Sequence, residues 1–351
     1  MRGGSALAVP SVTSRRSAGQ VLADTRALVE PALRAAVDTL PEGVRGIAGY
    51  HFGWWDAAGR PVREGGGKAI RPALALLAAE VVGADAVAAV PAAAAVQLVH
   101  EYSLLHDDVL DGDVTRRHLP TAWRVYGRTE AVLAGDALLG CALDVLARSG
   151  HPAVRQATRM LTGAVLRLVA GQIADVGFET RTDVGLAECL RMAAAKTAAL
   201  LGAACGMGTL YGGGDPQQVA RLTDFGSLLG LAFQHVDDLL GIWGDPSVTG
   251  KPVHSDLRSR KKSLPVVAAL ASDTAPGREL STLYHRQSPL TDPELVRAAE
   301  LVELAGGRAW SRHQADLLLA QAGRHLAAAA VSTRAAMELH DLARLVTRRD
   351  H

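Results

Sequence analysis

Long helical segments rich in alanine, leucine and valine fill most of this chain, and they restrict its fold more than any other feature. From the opening segment, 21–37, apolar residues recur with helical spacing. Clusters of glycine, proline and serine, such as 212–216, separate the segments, and no run alternates long enough to predict a strand. The sequence therefore predicts an all-α protein, a large single-domain antiparallel helix bundle. The later predicted helices are 70–83, 92–112, 129–148, 152–177, 185–211, 216–243, 256–271, 293–305, 307–330 and 333–347.

Composition excludes several classes of protein. With 48% hydrophobic residues the chain can bury a large core, and 37 basic against 36 acidic residues leave a formal net charge of +1. That balance gives no long-range field to attract nucleic acid or an anionic membrane, so we expect neither partner. The longest apolar stretch, 86–99, contains Pro91 and falls short of the roughly 18 residues of a membrane span. Three cysteines are too few for a disulfide framework, which favours a cytoplasmic location.

Two segments depart from the helical pattern. Residues 1–18 lack the apolar region of a signal peptide and are predicted to form a flexible tail, which leaves 19–351 as one domain. Segment 39–67 groups aromatic residues at 50–55 among glycine and proline. It is predicted to be a loop packed over a helix end or at a subunit contact, with a lid over a site as the alternative.

The strongest local signal is the acidic sequence that ends the segment 92–112. Asp107 and Asp111 are four residues apart and share a helix face, and Asp108 lies beside them. Three carboxylates at the C-terminal end of a helix repel one another and oppose the helix dipole, unless a cation lies between them. Carboxylate oxygens suit Mg²⁺ or Mn²⁺, so this motif predicts a metal site.

A second acidic pair, Asp237-Asp238, also follows an apolar helical run. Two helices that each end in paired carboxylates can face one another across a bundle and hold several Mg²⁺ ions between them. Because Mg²⁺ prefers one or two carboxylates together with substrate phosphates, paired motifs of this kind predict a diphosphate-binding site.

The basic residues support this interpretation. Only five of the 37 basic residues are lysines, and all five lie in or near candidate phosphate contacts. A glycine run leads into Lys68 and Arg71, which share a helix face, and Arg116-Arg117 follows the first acidic motif. The remaining lysines are Lys196, in an apolar helical segment, and Lys251, Lys261 and Lys262, which follow the second acidic motif.

In these motifs the chain resembles the trans-type polyprenyl synthetases, the all-helical isoprenyl diphosphate synthases. The resemblance runs from Gly66 to Pro265 and rests on seven motifs in the family's order. They are Gly67-Lys68-Ala69-Ile70-Arg71-Pro72, Ser103 to Asp111 with Arg116-Arg117, Gly135-Asp136, Gly171-Gln172-Ile173-Ala174-Asp175, Lys196-Thr197, Phe233 to Asp238, and Gly250-Lys251 to Lys261. The family's bundle encloses a central active-site cavity.

The resemblance implies a Mg²⁺-dependent, head-to-tail condensation of isopentenyl diphosphate with an allylic diphosphate. Asp107, Asp108 and Asp111 would hold two of three Mg²⁺ ions, and Asp237 the third, with Mn²⁺ as a possible substitute. Thr197 and Gln234 are expected near the reacting carbons. The residues expected to hold the allylic diphosphate are Arg116, Lys196, Lys251 and Lys261. Those expected to hold isopentenyl diphosphate are Lys68, Arg71, His100 and Arg117.

Three positions depart from the family pattern. Gly241 stands where the second motif usually has a third aspartate, from which we expect weaker binding of the third ion. His118 and His254 stand where glycines are common. None of the three removes an expected ligand.

Product length should depend on the residues that precede the first acidic motif. Ser103 and Tyr102, four and five residues before Asp107, lie about 6 to 7.5 Å further along the helix. A small residue followed by an aromatic one resembles geranylgeranyl diphosphate synthases, so a twenty-carbon product is expected, with farnesyl diphosphate as the alternative.

Other functions remain open from the sequence. A class I terpene cyclase shares the fold and the acidic rim, and a head-to-head synthase also has paired acidic motifs. The third alternative is a non-catalytic regulatory subunit of another prenyl synthase. The basic residues around Lys68 and Arg71 favour a condensing enzyme, because a cyclase needs no second diphosphate site. The resemblance also implies a homodimer.

Overall fold

A computed structural model describes residues 15–62, 67–246, 252–286 and 288–347 of this chain. Its sixteen described α-helices are α1 Ala18–Asp38, α2 Glu42–Phe52, α3 Ile70–Val81, α4 Val90–Leu110, α5 Ala122–Tyr126, α6 Arg128–Arg148, α7 Val154–Phe178, α8 Leu186–Ala193, α9 Ala199–Tyr211, α10 Pro216–Trp243, α11 Ser255–Arg258, α12 Leu264–Leu270, α13 Ala275–Tyr284, α14 Asp292–Leu304, α15 Gly307–Ala329 and α16 Thr333–Thr347. A short 3₁₀ turn, Ala86–Ala89, precedes α4, and a π-helical turn, Ala194–Ala198, joins α8 to α9. The two-residue strands β1, Thr115–Arg116, and β2, Leu119–Pro120, pair antiparallel. The predicted all-α class is confirmed.

The long helices bury small apolar side chains against one another. Helix α10 packs between α9 and α15, α4 packs on α6, and α3 packs on α9. The helices α3, α4 and α9 contribute mainly alanine and leucine to a continuous core, in which most side chains are fully buried. Lys261 is close enough to act electrostatically on Asp111 of α4 and on Asp237 and Asp238 of α10, so the two acidic motifs lie in one region of the bundle.

Helix α2 corrects the prediction of a loop over 39–67. Although three glycines punctuate the sequence of α2, its residues 47–52 are buried. At Gly49 the ring of Trp55 occupies the space of a side chain, since a Cβ there would lie 1.8 Å from a ring atom. Tertiary packing by the aromatic cluster therefore stabilises a helix that local propensity disfavours.

Helix boundaries differ from the predictions at three further places. The predicted segment 256–271 is two helices, α11 and α12. Helix α13 lies where the sequence predicts no helix, because the segment Ser272 to Pro276 resembles a break; the helix begins at Ala275, with Pro276 in its first turn. The short helix α5 lies outside the predicted helices, whereas α10 has the predicted bounds 216–243 and continues about one turn beyond Asp238.

Residues 15–18, assigned to the tail from the sequence, belong to the folded bundle. Ser17 caps α1 through a capping box with Gln20. Arg16 donates hydrogen bonds to Glu80 at 2.6 Å and to Glu338 at 2.7 Å, which ties the start of the bundle to α3 and α16. The rest of the predicted tail, 1–14, lies outside the described residues.

Two helices are long and apolar enough to cross a membrane by length and composition, Val154–Phe178 and Leu186–Tyr211. The second is a core helix, with 78% of its most apolar window buried inside the bundle. The first is less buried within one chain, at 33%, and has an exposed apolar face that includes Leu166 and Ile173.

Candidate active site

The first acidic motif lies at the C-terminal end of α4, where the sequence predicted it. Asp111 caps the helix, and its N–H donates to the carbonyl of Asp107 at 2.8 Å. Burial raises the pKa of Asp107 to about 6 and also raises the pKa of Asp111. Lys196 is close enough to oppose both shifts, but does not cancel them. Two neighbouring carboxylates on one helix face, Asp107 half-buried and Asp111 exposed, therefore favour a bound cation.

Asp108 is paired with Arg116, which lies on β1. Arg116 Nε donates to the two carboxylate oxygens of Asp108 at 2.8 and 3.0 Å, and Arg116 Nη2 lies 2.6 Å from the nearer oxygen. Asp108 is buried, with one guanidinium bound to both of its oxygens. It therefore orients Arg116, and the expected part of Asp108 in the metal site remains a prediction.

The second acidic motif lies close to a half-buried lysine, Lys261. Burial raises the pKa of Asp238 to about 7, although its carboxylate accepts hydrogen bonds from Gln234 at 2.7 Å and from the N–H of Leu264 at 2.8 Å. Partial removal of Lys261 from water disfavours its charged form. Nearby carboxylates, including Asp237 and Asp238, more than offset this cost and hold the pKa of Lys261 above its usual range.

At Gly241 a carboxylate from another helix fills the space of the missing side chain. A Cβ built on Gly241 would lie 2.3 to 2.7 Å from the three carboxyl atoms of Asp256, which belongs to α11. Asp256 also contributes to the raised pKa of Lys261. The negative charge absent from position 241 is thus supplied from position 256.

Lys196 and Thr197 lie on the π-helical turn between α8 and α9. Insertion of such a turn shifts side chains relative to a regular helix, and π-turns are frequent at functional sites. Lys196 Nζ lies 2.6 Å from Asp175 Oδ2, and Thr197 Oγ1 donates to Gln234 Oε1 at 2.5 Å. The turn therefore directs one residue toward the acidic side chains and links the next residue to α10.

Gly171 makes the position of this turn possible. A Cβ at Gly171 would lie 2.4 Å from the backbone nitrogen of Lys196, so only glycine fits without moving the chain. Asp175, one turn further along α7, then reaches Lys196. The sequence alone assigns no role to Asp175, although its place in the motif Gly171-Gln172-Ile173-Ala174-Asp175 is the available signal.

A second group of basic side chains lies around His100 on α4. Arg71 Nη1 donates to His100 Nε2 at 3.0 Å, which requires a neutral imidazole. Burial and the neighbouring Arg71 lower the pKa of His100 well below its usual value. Arg117 lies 3.2 Å from Glu101 and packs against Gly67. Lys68 is exposed just before α3, while Lys251 lies outside the described residues.

The two histidines that replace family glycines lie in left-handed backbone. His118 has φ 65° and His254 has φ 62°. This conformation costs a residue with a Cβ roughly 1–2 kcal/mol, which explains why glycine is common at both places. Among the described residues, no hydrogen bond or ion pair links either imidazole to the acidic and basic side chains of the site. Both departures therefore concern the backbone.

The donor set fits a hard divalent cation. Among the described residues, no three acidic, histidine or cysteine side chains converge on one point. An ion bound by Asp107, Asp111 or Asp237 would therefore complete its coordination with water and phosphate oxygens, as Mg²⁺ does in many phosphate-binding enzymes. An all-α bundle with two acidic motifs, interspersed lysines and a second basic group defines a helical synthase acting on diphosphates.

Comparison with known proteins identifies the family. Residues 54–302 match the model of the polyprenyl synthetase family. The chain is 46% identical over 332 residues to a (2E,6E)-farnesyl diphosphate synthase of Mycobacterium tuberculosis, covering 94% of this chain and 92% of that protein. A geranylgeranyl diphosphate synthase of the same organism is 46% identical over 84% of this chain and 85% of its own length. A crystal structure of a polyprenyl synthetase from Streptomyces coelicolor A3(2) has a TM-score of 0.89, 46% identity, and coverage of 93% and 98% of the two chains.

This chain therefore belongs to the polyprenyl synthetase family. It is a trans-prenyltransferase that makes short-chain isoprenyl diphosphates, as its sequence predicted. Members of the family use a divalent metal ion.

Proposed function

We propose that this enzyme condenses isopentenyl diphosphate with an allylic diphosphate and that geranylgeranyl diphosphate is its main product. The observation that carries the proposal is the separation of its cations into two groups. Lys196, Lys261 and Arg116 are engaged with the acidic side chains, whereas Arg71 and Arg117 lie around His100. Two groups suit two diphosphates, which a terpene cyclase acting on one substrate would not need. Label from isopentenyl diphosphate should enter product only when an allylic diphosphate and a divalent ion are both supplied.

The first group would bind the leaving diphosphate of the allylic substrate. Lys196, Lys261 and Arg116 would neutralise charge that grows on this group as its C–O bond breaks and the bonding electrons leave with it. Bound Mg²⁺ would add Lewis-acid stabilisation of the same charge. Lys251, expected in this group from the sequence, remains a prediction.

The second group would hold isopentenyl diphosphate with its double bond toward the allylic carbon. Arg71 and Arg117, with neutral His100 and Lys68, would bind its diphosphate. The double bond attacks the allylic cation, a C–C bond forms, and a proton is lost to the released diphosphate. Thr197 and Gln234 would border the reacting carbons. Positioning and electrostatic stabilisation therefore account for catalysis without a nucleophilic side chain.

We propose Mg²⁺ as the physiological ion, with Mn²⁺ as a substitute, and three ions per site. Asp107 and Asp111 would hold two of them and Asp237 the third. Asp256, in the space beside Gly241, supports retention of the third ion, because it returns a carboxylate to that side of the site. We also propose a cytoplasmic location.

Tyr102 is proposed to limit product length. It is buried one turn and a half before Asp107, and its ring packs edge-on against His106 with 4.7 Å between the ring centres. The hydroxyl of Ser103, the next residue after Tyr102, donates a hydrogen bond to the carbonyl oxygen of His100 at 2.8 Å. We expect Tyr102→Ala to extend the products beyond twenty carbons, measured by chromatography after dephosphorylation. Tyr102→Phe keeps the ring and should leave the products unchanged. The same chain-length distribution from both variants would contradict this role.

We propose that the enzyme is a homodimer joined through α7. Leu166, Val169, Ile173 and Val176 form one face of this helix, and Leu166 and Ile173 are 72% and 69% exposed in the single chain. An apolar face of this length is costly in water. We expect wild-type protein to sediment as a dimer and Ile173→Asp to sediment as a monomer. Val296→Asp, at an exposed apolar position on α14, should remain dimeric, and a dimeric Ile173→Asp protein would contradict the assignment.

A further inference from the structure

The buried carboxylate of Glu101 lies at the centre of the second basic group, and no motif of the family accounts for it. Glu101 is 1% exposed and follows His100 on α4. Four residues from four parts of the chain lie around it: Gln97 on α4, Arg117 between β1 and β2, His51 on α2 and Arg71 on α3. A fully buried carboxylate is costly unless it is paired, so its partners indicate what it does.

Its contacts hold Arg117 in one place. Arg117 Nη2 lies 3.2 and 3.3 Å from the two carboxylate oxygens of Glu101. Gln97 Nε2 donates to Glu101 Oε1 at 2.6 Å, which fixes the carboxylate from one turn earlier on α4. His51 Nε2 lies 3.0 Å from the other oxygen, Glu101 Oε2, and the His51 carbonyl accepts a hydrogen bond from Arg117 Nη1 at 3.4 Å.

These contacts also give helix α2 and the aromatic segment a function. His51 is the residue of α2 that meets both Glu101 and Arg117. The stacked rings of Phe52 and Trp54 pack directly after it. Packing of the aromatic cluster therefore places a histidine against the carboxylate that holds Arg117.

We propose that Glu101 is a positioning residue for isopentenyl diphosphate, acting through Arg117. The inference rests on the proposed function of the second basic group. Arg117 has left-handed backbone, with φ 51°, and a guanidinium that must stay aimed at a diphosphate. Glu101 supplies the fixed partner that keeps one edge of the guanidinium engaged and leaves the other for the substrate.

The charge of Glu101 allows two opposite outcomes, which makes the proposal testable. If Glu101 were only a counter-ion, its removal would make the group more positive and would tighten binding of a diphosphate. If it positions Arg117, its removal frees the guanidinium and weakens binding. We therefore expect Glu101→Gln to raise KM for isopentenyl diphosphate roughly 10- to 100-fold, with KM for the allylic diphosphate changed less than about threefold.

The matched control is Glu338→Gln. Glu338 is equally buried and pairs with two arginines, Arg16 and Arg334. None of these three residues belongs to the acidic or basic groups of the site. The Glu338→Gln variant should lose thermal stability, whereas the ratio of its KM values for the two substrates should equal that of the wild type. Glu101→Asp, which keeps the charge but shortens the reach, should raise KM for isopentenyl diphosphate by an intermediate factor and serves if Glu101→Gln does not fold.

A double-mutant cycle separates positioning from general destabilisation. In a protein that already carries Arg117→Gln, the further change Glu101→Gln should alter KM for isopentenyl diphosphate less than about twofold, because the two residues act together. An unchanged or lower KM in Glu101→Gln, or additive effects in the cycle, would overturn the inference. Absence of condensation by the wild-type enzyme would instead overturn the proposed function.

Discussion

Asp107→Asn is expected to lower kcat roughly 10³-fold while leaving the fold intact. The carboxylate of half-buried Asp107 shares a helix face with that of Asp111 and lies near Lys196. The amide of asparagine has the same shape as this carboxylate but no negative charge to bind a cation. Residual turnover should require a higher Mg²⁺ concentration for half-maximal rate. Steady-state kinetics over a Mg²⁺ series measure both effects.

The same substitution should stabilise the enzyme when no metal is bound. Because burial raises the pKa of Asp107 to about 6, above its unfolded value, the charged form destabilises the fold at pH 8. Removing this charge should raise Tm in the presence of a chelator, and Mg²⁺ with inorganic diphosphate should shift Tm less than in wild type. Asp144→Asn, at an exposed pair with Arg148 on α6, serves as the control and should leave kcat unchanged. Less than a threefold loss of kcat in Asp107→Asn at saturating Mg²⁺ would contradict the assignment.

Gly171→Ala is expected to lower kcat roughly 10²-fold, although the residue contacts no substrate. Its new Cβ would lie 2.4 Å from the Lys196 nitrogen and 2.8 Å from the Lys196 Cα, both backbone atoms that cannot rotate away. The π-helical turn must move, and with it Lys196 and Thr197. KM for the allylic diphosphate should rise, whereas KM for isopentenyl diphosphate, bound elsewhere, should change little.

Gly163→Ala provides a matched control on the same helix. Nothing lies within 4 Å of a Cβ at Gly163, and alanine favours a helix over glycine by about 1 kcal/mol. We expect this variant to keep its activity and gain stability. Equal activity of the two variants would show that the close approach at Gly171 does not hold the turn in place.

The sequence predicted the helix bundle well because helical periodicity is a local property. Its boundary errors have tertiary causes. Helix α2 is stabilised by the ring of Trp55, which packs over Gly49. Helical periodicity does not reveal this contact, because Trp55 lies beyond the end of the helix. The turn at 194–198 lies in an alanine-rich segment where a regular helix and a π-turn have the same composition.

The site was predictable as a set of residues but not as a set of contacts. Adjacent aspartates on α4 point to different partners: Asp107 is near Lys196, and Asp108 binds Arg116. Asp256 beside Gly241 joins positions 15 residues apart in the sequence, through the packing of α11 on α10. Such pairings depend on the relative placement of helices, which no local pattern fixes.

The most direct test of the account is an assay of product with purified enzyme, Mg²⁺, labelled isopentenyl diphosphate and each allylic primer in turn. After dephosphorylation the account predicts a linear twenty-carbon alcohol that carries the label. A fifteen-carbon alcohol would agree with the condensation reaction but would show that Tyr102 does not set a twenty-carbon limit. A hydrocarbon formed from the allylic diphosphate alone, with no label incorporated under any condition, would contradict the central claim.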